Sequence, residues 1–220
     1  MDRSQLKMEA NQMVSQHFGF FFTLFIPYFI MAIITNMTNQ GTESFSLTDG
    51  VLQTTYNSNL VLSTGIFGIV SAIFAYSAQF NILDVWRNKS DFENGFSKSF
   101  NILSSKRVFW GTIGVYIMSF IFITLWAFLL LFPAFIKACS YSQAVYIYRD
   151  AAQSGNPIGV LEAITKSRQL MDGHKAEYFV LRLSFIGWWF VVIITFGIAI
   201  IYVGPYYYLT TTKYYLKIVN

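Results

Sequence analysis

The chain has 220 residues, of which 55% are hydrophobic, 19% aromatic and only 12% charged. Soluble domains carry about 25% charged residues, so this composition excludes an ordinary soluble domain, a disordered chain and a disulfide scaffold, and points to a polytopic membrane protein. The net charge is +4. In so apolar a chain, basic residues mark the cytoplasmic side of a membrane, and no basic stripe with exposed aromatics suggests nucleic acid. The single cysteine, Cys139, cannot close an intramolecular disulfide, and His17 and His174 are too far apart to suggest a metal cluster.

A membrane helix needs about 20 apolar residues to cross roughly 30 Å of hydrocarbon. The first such run is 18–35, with Pro27 inside it. A polar segment precedes it and no small-residue cleavage site follows, so it does not read as a cleaved signal peptide. The second is 60–83. The third apolar run continues from Val108 to Tyr148, too long for one helix, and divides into spans 108–131 and 134–150 with a turn at Phe132-Pro133-Ala134. The last run divides into 178–202 and 205–219 with a turn at Val203-Gly204-Pro205. The expected fold is all-α: one membrane domain of six transmembrane helices.

Loop charges set the orientation. The segment 36–59 contains Glu43 and Asp49 but no Lys or Arg. The segments 84–107 and 151–177 contain Arg87, Lys89, Lys98, Lys106, Arg107, Lys166, Arg168 and Lys175. The positive-inside rule then puts 36–59 outside, and both basic loops and both termini in the cytoplasm. Three stretches share one grammar, a polar amphipathic segment followed by a helical hairpin, which suggests parallel repeats. The basic linkers themselves look helical. In NPIGVLEAITKSRQL, Ile158, Leu161, Ile164 and Leu170 recur at helical spacing, with Asn156 and Pro157 as N-cap and first residue and Gly173 as the stop. Phe92, Phe96 and Phe100 are four apart in the other linker. Lys166, Arg168, His174 and Lys175 are expected to meet lipid headgroups at the inner interface.

No phosphate-binding glycine loop, HExxH or GxSxG occurs. The apolar runs hold no Asp or Glu, which argues against an acidic ion relay. Lys137 and Ser140 allow a Ser–Lys pairing three residues apart. Three cations enter the apolar runs: Lys137, Arg182 and Lys213. Arg182 is close enough to the inner boundary to snorkel. Lys137 and Lys213 each follow a Pro turn, and with Ser140, Gln143 and Thr210 they suggest one outward-opening polar pocket for an anionic group. The small residues Thr64, Gly68, Ser71, Ala75 and Ala78 form a stripe suited to close packing of the second helix within the chain.

The stretch SRQLMDGHKAEYFVLRLSFIGWWFVVIITFGIAIIYVGPYYYLTTTKYYLKI resembles the DUF975 family of bacterial integral membrane proteins, through Ser167, Arg168, Met171, Gly173, His174, Lys175, Gly187, Trp188, Pro205 and Tyr206 among others. A second match is TLWAFLLLFPAFIKACSYSQAVYI, with Thr124, Trp126, Pro133, Lys137 and Tyr141. The resemblance implies a bacterial plasma membrane and no particular activity. The expected role is non-catalytic, acting through lipids or a partner in envelope homeostasis or bacteriocin immunity. A transporter or channel for a small anionic or amphipathic molecule is the alternative, and a membrane enzyme the least supported class. Expected partners are membrane lipids, with another membrane protein or a second copy as the alternative; no cofactor and no nucleic acid are expected.

Overall fold

A computed structural model describes residues 3–40, 43–48, 51–129 and 131–219. The first helix, α1 (Arg3–Gln16), is the polar N-terminal segment, docked by its fully buried Leu6, Ala10 and Val14. The apolar runs follow as α2 (Phe18–Gln40) and α3 (Ser58–Trp86), each several residues longer than the sequence suggests. Between them lies an antiparallel hairpin, β1 (Glu43–Thr48) paired with β2 (Val51–Tyr56). This corrects the all-α expectation for the outer loop. The cue was local: two alternating runs separated by Asp49-Gly50, the pair that favours two-residue hairpins. Asp49 itself, one of the two acids assigned to that loop, lies outside the described residues.

The first basic linker folds as a short helix, α4 (Gly95–Lys98), and a 3₁₀ turn, Asn101–Ser104. It is not the continuous helix that its phenylalanines suggested. Phe92 leaves their row and stacks on His17, with ring centroids 3.5 Å apart. Gly95 is needed where α4 meets α2, because a Cβ there would sit 2.5 Å from the Phe20 carbonyl oxygen, a backbone atom that cannot move aside.

The third run opens with α5 (Lys106–Leu129). The returning segment is broken into α6 (Leu131–Tyr141) and α7 (Ala144–Gln153). The expected turn at 132–134 therefore lies inside α6. Pro133 is its third residue, in the first turn, where a proline is tolerated. In the second linker, α8 (Val160–Leu170) starts at a Gly159 N-cap, and not at Asn156-Pro157. It ends where expected, with Gly173 at φ 78°.

The last run differs most from its expected form. It contains α9 (Lys175–Leu183), α10 (Ile186–Ile194) and α11 (Ile200–Val219). The reversal is at 195–199, with Phe196 and Gly197 at φ 51° and 90°. The Val203-Gly204-Pro205 turn does not exist, and Pro205 lies within α11. Among the described residues, four helical stretches are long and apolar enough to cross a membrane: Phe18–Asn39, Ser58–Trp86, Lys106–Ala127 and Lys175–Ile194.

Two of the three buried clusters among the described residues lie between the long helices. One joins α1, α2, α3 and α11 through Val14, Phe21, Phe25, Ile82 and Leu209. The other joins α3, α5, α7 and α8 through Leu83, Val115, Val145 and Ile164. Ser71, Ala75 and Ala78 are buried in the fold, as the small-residue stripe suggests. Arginine–carboxylate pairs then tie the end of α3 to the end of α7. Arg87 holds Asp150 with two bonds of 2.7 Å, Tyr215 of α11 donates to the same carboxylate, and Arg149 pairs with Asp84. The Asp150 bond also pushes the Arg87 pKa further up. Arg149 is only 4% exposed, so removing its partner leaves a buried charge unmatched. Asp84→Ala should therefore lower stability by about 3 kcal/mol. Thermal unfolding in neutral micelles measures this, and exchanging the pair as D84R/R149D should recover a good part of the loss. An unchanged melting temperature in Asp84→Ala would show that the pair contributes nothing.

Candidate functional site

The five residues expected to share one outward pocket are separated in the structure. Lys213 lies 3.9 Å above the Trp86 ring and forms an ion pair with Glu9 of α1. The acid that neutralises it comes from outside the apolar runs, so the requirement for a bound anion disappears at this lysine. Thr210 is fully buried and returns its hydroxyl to the Tyr206 carbonyl, 2.8 Å away. Gln143 is also fully buried, with its amide on the Ser142 hydroxyl at 2.9 Å. The Ser140 hydroxyl donates to the Ile136 carbonyl at 2.9 Å, while Lys137 stacks over Trp126 at 4.5 Å. The structure therefore gives no support to a Ser–Lys dyad.

Lys137 and Ser140 instead line a groove of about 330 Å³ with Arg168 and Lys175. These last two were assigned to the inner interface. The linker folds back on α6, its Ser167 hydroxyl bonding the Ser140 carbonyl at 2.7 Å, so the two expected sites meet on one face. Of the other inner-interface residues, Lys166 pairs with Glu162 at 2.9 Å, and His174 lies 3.7 Å from Glu177. Lys175 pairs with Asp172 at 2.9 Å and holds that carboxyl below its usual range.

The largest cavity, about 540 Å³, lies among α2, α3, α5, α6, α7, α9 and α11. Eight tyrosines, including Tyr28, Tyr76, Tyr116 and Tyr207, line it with Gln79 and Thr211, and no carboxylate does. Arg182 of α9 is the cation on its wall. A second cavity of about 400 Å³ shares Arg182, Tyr28, Tyr207 and Tyr208 with the first. It continues along apolar residues such as Phe135, Phe179 and Trp189. The Arg182 guanidinium lies 5.9 Å from the Tyr178 ring centroid and beside Tyr207, and no carboxylate pairs with it among the described residues. Beneath the cavity, the buried Tyr146 hydroxyl donates to Gln79 and lies 3.1 Å from the Thr212 hydroxyl. Among the described residues, no three His, Cys, Asp or Glu side chains come together as metal ligands would.

The sequence reading missed this site. Arg182 was visible as a cation in an apolar run, but its nearness to a boundary suggested snorkelling. The break after Leu183 could not be read from composition. Tyrosines on seven separate helices have no shared spacing to detect.

The Glu9–Lys213 pair makes α1 part of the bundle. In Glu9→Gln the ammonium loses its counter-ion and α1 should loosen, so trypsin should cut after Lys7 several times faster. The exposed Glu93→Gln serves as control. Equal cleavage of the two variants would mean that apolar burial alone holds α1.

Residues 129–220 match a family whose description is Protein of unknown function (DUF975). That range contains the longer of the two stretches carrying the resemblance, and most of the shorter one; Thr124, Leu125 and Trp126 fall outside it. No curated protein and no solved structure matches the chain. The chain is thus similar to DUF975 proteins over its C-terminal part, from the start of α6 onward.

Proposed function

We propose that this is a non-catalytic, multi-pass protein of the bacterial plasma membrane whose interior binds an anionic amphiphile, with Arg182 facing the anion. One observation carries this reading: Arg182 has no carboxylate partner and stands where a tyrosine-lined cavity joins an apolar one. A guanidinium in such surroundings favours a negatively charged group, because its own desolvation is otherwise uncompensated. Tyrosine hydroxyls can donate to the same group, and the adjoining apolar cavity suits a hydrocarbon tail. The meeting of two cavities at one residue also favours the transporter reading, in which the same site lies on a path.

Several contacts support both ends lying on one side of the membrane, as an even number of crossings such as six requires. Helix α1 packs on the end of α11, which requires both termini on one side. The Asp84–Arg149 and Arg87–Asp150 pairs bring the basic linkers to one level. Tyr76-Ser77 and Tyr141-Ser142 are each followed, eight residues after the tyrosine, by Asp84 and Arg149, which pair with each other. This is what two equivalent hairpins packed side by side would do, and it supports the repeat.

Losing a charge-assisted bond to the anion costs about 2 kcal/mol, or about thirtyfold in affinity. Decyl phosphate titrated against the tryptophan fluorescence of the protein in nanodiscs should bind about that much more weakly to Arg182→Gln, with Arg182→Lys between. Decyltrimethylammonium should not compete. Equal binding to wild type and Arg182→Gln would remove the proposal.

The topology has its own test. In a Cys139→Ala background, Thr54→Cys should react with an impermeant thiol reagent from outside intact cells. Ser154→Cys should react only after permeabilisation. Both positions are exposed. Labelling of Ser154→Cys in intact cells would overturn the orientation.

A further inference from the structure

Helix α6 has two working faces. Phe135, Ala138 and Cys139 line the apolar cavity beside Arg182, while Ile136, Lys137 and Ser140 line the separate groove against α8. Three cations meet in that groove, Lys137, Arg168 and Lys175, against one carboxylate, Asp172. Asp172 is engaged by Lys175 at 2.9 Å. Among the described residues, neither Lys137 nor Arg168 has a carboxylate partner. Like charges on one small groove repel, so this arrangement lacks an anion.

We propose that the groove binds the phosphate of an anionic phospholipid headgroup. The donors suit a phosphate: a guanidinium that can bond two of its oxygens, an ammonium as a point charge, and the exposed Gln169 amide at the rim. Thr165 spends its hydroxyl proton on the Leu161 carbonyl at 2.9 Å, so it has none to donate to a phosphate. The surroundings favour a lipid over a soluble phosphate. Ile136 on α6 and Leu161 on α8 are 43% and 56% exposed, which places hydrocarbon-compatible surface next to the charges. The Trp126 ring under Lys137 is the kind of side chain that settles at headgroup depth. This site is independent of Arg182, and either can fail without the other.

Native mass spectrometry of the full chain released from neutral detergent tests the proposal. After incubation with equal phosphatidylglycerol and phosphatidylcholine, one phosphatidylglycerol should be retained in preference. Lys137→Gln/Arg168→Gln should weaken retention about tenfold or more, because two charged contacts are lost. Lys166→Gln, whose lysine pairs with Glu162 away from the groove, should leave it unchanged. Arg182→Gln should do the same, which separates this site from the cavity. The charge-keeping Lys137→Arg/Arg168→Lys guards against misfolding and should retain the lipid. Equal retention of phosphatidylcholine, or unchanged retention in the double Gln variant, would overturn the assignment. Excess inorganic phosphate should not raise the melting temperature; a rise matching that given by phosphatidylglycerol would assign the groove to soluble phosphate and overturn the lipid source.

Discussion

Charge pairing at one end of the bundle is the interaction on which the rest depends. A chain with this composition keeps its carboxylates out of the apolar runs, so cations near helix ends must be met by acids from other elements. Asp84 reaches Arg149, Asp150 reaches Arg87, Glu177 reaches Lys217 and Glu9 reaches Lys213. Each pair joins elements far apart in sequence. Together they fix α1, α3, α7, α9 and α11 relative to one another at the level where apolar packing alone would allow sliding. Breaking one of these pairs leaves a half-buried charge, so each constrains register more than its net contribution to stability implies.

Once those pairs are made, the cations without acids stand out. Lys89, Lys106 and Arg107 are exposed in the first linker, where water or headgroups can meet them. Arg182, itself exposed, and the half-buried Lys137 differ from these in that each forms part of a cavity or groove wall. The break between α9 and α10 helps to explain Arg182. It frees carbonyls at the end of α9, and the Lys7 ammonium bonds one of them, that of Ser184, at 3.1 Å. The guanidinium, on an exposed residue at the cavity edge, lies beside Tyr207 and Tyr178.

The parts legible in the sequence were those governed by composition and by strong local stops. The long apolar helices and the left-handed Gly173 belong to that class. The reversal near Thr195 was misplaced because Gly204-Pro205 looked like the stronger punctuation. In a packed apolar helix Pro205 is tolerated, whereas Gly197 supplies the positive φ that a tight reversal needs. The polar pocket was misplaced for a different reason. Spacing along one helix put Lys213 in the interior, but only tertiary contact could bring Glu9, more than two hundred residues earlier, to neutralise it. The Arg182 cavity had the same character in reverse, since no periodicity links tyrosines contributed one or two at a time by seven helices.

The absence of acids from the apolar runs therefore has two consequences. It removes the side chains that an acidic proton or sodium relay would need. Among the described residues, it also leaves Arg182 and Lys137 without a paired carboxylate. A carboxylate placed beside either one would satisfy it permanently and leave a ligand no electrostatic advantage. In the proposed readings the missing charge arrives from outside the chain. Helix α6 separates the two positions, and it turns an apolar face to one and a polar face to the other. A membrane supplies anionic headgroups and hydrocarbon together, which is the combination that each side of α6 can accept.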